Sequence, residues 1–119
     1  MKNLSKNKTT IQTYIEGFSK SDNKLILSLL TDDVIWDFPG AFHHVGKEAF
    51  DKEIENDAFI GSPILKITRM VEENNIVVAE GTVQGKRKDE TTFNALFCDV
   101  FEMHEGKIRK LTTYMAFLN

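Results

Sequence analysis

The sequence predicts an α+β domain. Three observations carry that prediction: apolar residues at helical spacing dominate the first half, strand-forming runs divided by short turns dominate the second, and 119 residues suit one packed unit. From Thr9 to Lys20 the residues Ile11, Tyr14, Ile15 and Phe18 fall at i, i+3, i+4 and i+7, the spacing of one helix face. Ser21 or Asp22 offers a side-chain oxygen to the unpaired N–H groups opening a second helix, with the stripe Leu25, Ile26, Leu29 and Leu30 and an end near Thr31. Val34-Ile35-Trp36-Asp37-Phe38 is a short strand stopped by Pro39-Gly40. A loop leads to Val45-Gly46, and Lys47 to Asp57 reads as a third helix with Phe50 and Ile54 inward. Four β-favouring runs follow, Ile64–Glu72, Ile76–Lys86, Thr91–His104 and Lys107–Leu118, and the short turns between them imply an antiparallel meander. The expected architecture is three N-terminal helices on one face of a strongly curved, mainly antiparallel sheet. Gly81 and Gly85 are the natural places for a bend or bulge. Such curling leaves a cone open at one end, built from residues 1–119 as a single domain.

Composition narrows the function. The net charge is −3, and the one local basic cluster, Lys86-Arg87-Lys88, is followed at once by Asp89-Glu90, which argues against nucleic acid as a partner. No run approaches the ~20 apolar residues that cross a bilayer, and Met1 to Thr10 has no apolar core of a signal peptide; the expectation is a soluble, cytoplasmic protein. Cys98, the only cysteine, cannot form an internal disulfide and fits a reducing compartment. Three histidines without an i, i+4 pair predict no metal site, and the absence of a glycine-rich nucleotide loop predicts no cofactor. Nine Phe, one Trp and two Tyr supply rigid apolar surface for a core or a pocket.

The third β run carries the chemistry. Period-two alternation puts Phe93, Ala95, Phe97, Asp99, Phe101 and Met103 on one face, so a carboxyl stands in an apolar stripe. Removed from water and given no cation, a carboxylate is destabilised relative to its acid, its pKa rises, and the acid can donate a hydrogen bond to a developing oxyanion. The competing reading is a core aspartate bonded to backbone N–H groups or paired with Arg69 or Arg109. Tyr14, on the apolar face of the first helix, turns its ring inward and needs a partner for its hydroxyl. Trp36, Phe38, Phe50, Phe97, Phe101 and Met103 are the expected apolar lining. His43 and His44 stand between the first strand and the third helix, either as acid/base groups at a pocket mouth or as exposed loop histidines. Arg69 shares a parity with Leu65, Ile67 and Val71; it enters the cavity as a carboxylate clamp, or pairs with Asp99 or Glu80.

Together these features resemble the nuclear-transport-factor-2-like (NTF2-like) superfamily, and within it the SnoaL-like polyketide cyclase and ketosteroid isomerase branch. The resemblance rests on Tyr14, the Ser21-Asp22 turn, Leu29-Leu30-Thr31-Asp32-Asp33, the strand end Trp36-Asp37-Phe38-Pro39-Gly40, Val45-Gly46-Lys47-Glu48-Ala49-Phe50, and Phe101 to Gly106. It implies an oxyanion hole from a helix-one tyrosine and a late-strand aspartic acid, matching Tyr14 and Asp99. Ketosteroid isomerases hold a general-base aspartate immediately before the proline that ends the first strand. This chain has Phe38 there and Asp37 one residue earlier, where it faces the pocket only if the strand bulges before Pro39. SnoaL-like cyclases need only the inward aspartate. The expected function is therefore cofactor-free proton transfer (isomerisation, cyclisation or dehydration) on a small apolar, carbonyl-bearing molecule. The alternatives are a non-catalytic ligand-binding module and an adaptor that uses its outer sheet face. The resemblance also implies a homodimer through the sheet, compatible with the outward parity of Leu96, Cys98 and Val100.

Overall fold

The computed structural model describes residues 4–54 and 59–118; Asp57, the end of the third helix as read from the sequence, lies outside them. Helix α1, Lys6–Ser19, is capped by Ser5, whose hydroxyl accepts the Lys8 N–H and satisfies one donor of the first turn. Its apolar stripe buries Ile11, Tyr14 and Ile15. Asp22 caps α2, Asn23–Ser28, by accepting from the Leu25 N–H.

The second helix ends before Thr31 because the sheet claims the chain there. Leu30 opens strand β1, Leu30–Phe38, four residues ahead of the sequence reading, and pairs with Ile108. The Ile108 N–H donates to the Leu29 carbonyl at 2.9 Å. After the Pro39-Gly40 turn, the stretch read as a loop is a second strand, β2 (Phe42–Val45), paired antiparallel with β1 so that Trp36 faces His44 and Asp37 faces His43 in register. Helix α3, Lys47–Ile54, then buries Phe50 and Ile54. The helices are thus not all N-terminal to the sheet, since the β1–β2 hairpin comes between α2 and α3.

The meander follows as β3 (Phe59–Glu73), β4 (Ile76–Arg87), β5 (Thr92–His104) and β6 (Lys107–Phe117). Asn74 and Asn75 both take positive φ, which their short polar side chains tolerate, and close the β3–β4 hairpin. Among the described residues the sheet has six strands in the order β2-β1-β6-β5-β4-β3, and β1 and β6 run parallel, so it is mixed. α1 packs on α2 and β3, and α3 packs on β1. Ile11, Leu30, Phe50, Phe101, Ile108 and Leu111 fill the core between helices and sheet. Among the described residues no helix is long and apolar enough to cross a membrane.

Two details of register bear on function. Between Ile67 and Arg69 the β3–β4 pairing shifts, with Thr68 the extra residue, and every side chain beyond that bulge changes face. The β4–β5 pairing, by contrast, runs without a shift from Ile76↔Glu102 to Lys86↔Thr92, so Gly81 and Gly85 are not bulges in that ladder.

Candidate active site

A cavity of about 1130 Å³ lies between the helices and the sheet. Its inner wall is made by Tyr14, Trp36, Phe97, Asp99 and Thr113, all buried, and its rim by the exposed Gly40, Ser62, Lys86, Lys88 and Phe117. A Ser21–Ser62 hydroxyl contact of 2.7 Å ties the α1–α2 link to β3 beside this rim.

Each wall residue arrives by its local structure. Strand alternation delivers Phe97 and Asp99 from β5 and Trp36 and Phe38 from β1; the stripe of α1 delivers Tyr14. Tyr14 is held edge-on by Phe18, Phe50 and Phe101, with ring centroids 5.6, 6.3 and 5.5 Å away.

Asp99 is 7% exposed, and its Oδ1 has no hydrogen-bond partner among the described residues. Burial pushes its pKa up to about 7, opposed by hydrogen bonding from the Thr113 hydroxyl, which favours the charged form. Thr113 stands directly across the β5–β6 ladder, and its Oγ1 accepts the Trp36 Nε1–H at 3.0 Å. An indole can only donate, so the threonine's own proton is left for Asp99. Tyr14 is also pushed up, first by burial and then by the negative charge of Asp99. The two groups therefore share one electrostatic environment. The arrangement offers an acid that ionises near neutrality and a phenol that stays protonated, set in aromatic walls.

The other sequence candidates fall elsewhere. Asp37 points away from Trp36 and Phe38, as adjacent strand residues must, and its carboxylate lies 3.7 Å from Nδ1 of the exposed His43 on the outside of the hairpin. His44 lines a shallow cleft of about 460 Å³ against α3; its Nε2 lies 2.9 Å from Glu53 Oε1 and its ring stacks on Phe42, and both of those partners line the cavity while His44 itself does not. Phe50 and Phe101 are fully buried behind Tyr14 and form no part of the cavity wall, and Met103 is buried outside it too. Arg69 is exposed and donates from Nε to Glu80 at 2.7 Å; the Thr68 bulge turned it from the face shared by Leu65 and Ile67. No cation reaches Asp99 among the described residues, Arg109 included.

Sequence reasoning missed Thr113, Phe18 and Met115 as wall residues. Carrying the alternation of β6 forward from Leu111 would have found Thr113, but a threonine in a strand reads as an ordinary outward residue until its cross-strand partner is known.

The model of the SnoaL-like domain matches residues 11–111, most of the chain and every inner-wall residue named above except Thr113. The chain belongs to the SnoaL-like family. Several solved structures superpose closely on it. The crystal structure of TerC co-crystallised with polyporic acid has a TM-score of 0.85 and 22% identity, covering 94% of this chain and 92% of that one. A putative polyketide cyclase from Xanthomonas campestris pv. campestris has a TM-score of 0.84 and 23% identity, covering 92% and 89%. An epoxide hydrolase of the LEH-like type from M. tuberculosis has a TM-score of 0.82 and 18% identity, covering 93% and 83%. At these identities the likeness establishes the shared fold, which hosts several chemistries. No curated protein matches the sequence.

Proposed function

We propose that this SnoaL-like protein is a cofactor-free enzyme that moves a proton on a small apolar, carbonyl-bearing substrate, in an isomerisation, cyclisation or dehydration. The observation that carries the reading is Asp99, a carboxyl in the cavity wall that has, among the described residues, no cation beside it and no hydrogen-bond partner for Oδ1. With its pKa at about 7, both protonation states are populated near neutrality. One group can then take a proton in one step and return it to another atom of the substrate in the next. Tyr14, kept protonated by the same surroundings, donates to the substrate oxygen as negative charge develops there. Desolvation strengthens both interactions, and the aromatic rings of Trp36, Phe38 and Phe97 bind the apolar body of the substrate.

Asp99→Asn tests this. A phenol such as 2-naphthol mimics the enolate, and its affinity for wild type is expected to exceed that for the variant by about tenfold or more, one to two strong hydrogen bonds' worth. Equal affinities overturn the reading.

A second reading, a ligand-binding module without catalysis, is favoured by Phe38, a cavity-lining ring where the ketosteroid isomerases resembled by this chain hold their base. Under it, Asp99→Asn and wild type bind 2-naphthol equally. In both readings the outer sheet face, with exposed Ile64, Val71, Leu96 and Tyr114, forms a homodimer contact, and the protein works in the cytoplasm, where Cys98 stays reduced.

A further inference from the structure

Gly81 and Gly85 stand on the inward face of β4 with ordinary negative-φ backbone, so nothing in their conformation demands glycine. What forbids a side chain is an aromatic ring. In the β4–β5 register Gly81 faces Phe97 and Gly85 faces Phe93. A Cβ on Gly81 would lie 2.6 Å from Phe97 Cζ, and a Cβ on Gly85 would lie 2.6 Å from Phe93 Cε1 and 2.7 Å from its Cζ. The far edge of each ring thus rests on the neighbouring strand, and the side chain lies down across the sheet instead of standing into the cavity. Phe93 is held there on two more sides, with the Arg87 guanidinium 5.2 Å from its ring centre and Phe117 at 5.8 Å. Gly85 and Phe93 both line the cavity, next to Lys86 at its rim.

We propose that Gly85 sets the size of guest the cavity admits: by carrying no side chain it lets Phe93 lie flat and keeps the entrance wide enough for a guest of several fused rings. The proposal rests on the cavity being the substrate site, as the proton-transfer reading holds, and it adds a specificity-determining residue to that site. Gly81 does the same for Phe97 beside Asp99, but there a Cβ would also meet the Lys66 carbonyl oxygen at 2.1 Å, so its replacement would disturb the sheet itself. Gly85 has no such backbone obstacle and is the cleaner position to change.

The test uses naphthalene and pyrene, hydrocarbons that cannot hydrogen-bond to Asp99, in fluorescence titrations of the whole chain. Wild type is expected to bind both. Gly85→Ala pushes the Phe93 ring upright and is expected to weaken pyrene by about tenfold or more, the effect of one overpacked methyl, with naphthalene changed less than about threefold. Adding Phe93→Ala to Gly85→Ala is expected to restore pyrene. Unchanged pyrene affinity in Gly85→Ala, equal weakening of both hydrocarbons, or no recovery in the double variant overturns the proposal. Should Gly85→Ala fail to fold, the proton NMR spectrum of wild type decides: a ring packed on Gly85 displaces one of its Hα resonances from the ordinary glycine position and separates it from the other, and two ordinary Hα shifts refute the geometry. Failure of the proton-transfer reading has a different signature, equal 2-naphthol binding by wild type and Asp99→Asn, and leaves the hydrocarbon result to stand or fall alone.

Discussion

Two carboxyls on this sheet have opposite surroundings. Asp99 sits in the cavity wall with little solvent and no cation among the described residues, and its pKa rises to about 7. Asp37 stands on the outside of the β1–β2 hairpin, its side chain 35% exposed, with an imidazole 3.7 Å away that is itself 60% exposed. A partner within reach marks the second site, yet the first has the unusual chemistry, because removal of water acts on an ionised group more strongly than a solvated neighbour does. His44 and Glu53 pair beside α3, where Glu53 lines both the small cleft and the cavity.

The largest expected effect that would sharpen this contrast is a pH dependence of stability. The folded pKa of Asp99 lies above its unfolded value, so the folded state holds a proton that the unfolded state releases between about pH 4 and pH 7. The stability associated with Asp99 is therefore present at pH 4 and lost as the pH rises through about 7. Asp99→Asn has no such loss. Denaturant melts at pH 4 and pH 8 are expected to shift in favour of the variant by on the order of 3 kcal/mol, and a pH-independent difference would break the contrast.

A smaller effect is expected across the ladder. Thr113→Val removes the hydroxyl that favours the ionised form, so the carboxyl resonance of Asp99 in carbon-detected NMR should titrate at higher pH than in wild type, whereas Thr113→Ser should leave it near the wild-type position. A downward move in the valine variant would show that the hydroxyl accepts from the acid instead.

Least change is expected at the hairpin. His43→Ala removes one partner of an exposed pair and should alter stability by less than about 0.5 kcal/mol, with 2-naphthol affinity unchanged. A loss of affinity there would place the outer face of β1–β2 in the site after all.

The sequence made the inner wall of β5 legible because period two is a property of any extended strand, and the in-register β4–β5 pairing preserved it: Phe93, Phe97 and Asp99 are all buried. The same rule failed for Arg69, since one extra residue at Thr68 reverses every face beyond it and no local signal marks the bulge. It failed for β2 because Phe42-His43-His44-Val45 carries no clear alternation, so the hairpin became visible only through its pairing with β1. From the sequence Gly81 and Gly85 read as places for a bend or bulge, whereas in the fold they leave room for two rings on the next strand.

What the chain order determined alone is the class of fold, the helix faces, the meander, and the presence of an acid in an apolar stripe, since each depends on spacing along the backbone. Tertiary structure decided which groups meet. Thr113 and Trp36 come to Asp99 from β6 and β1, Arg69 is turned outward to Glu80, and Phe50 and Phe101 withdraw behind Tyr14. The physical reason is that desolvation and hydrogen bonding depend on the neighbours a side chain meets in three dimensions, and those come from strands and helices far away in the sequence.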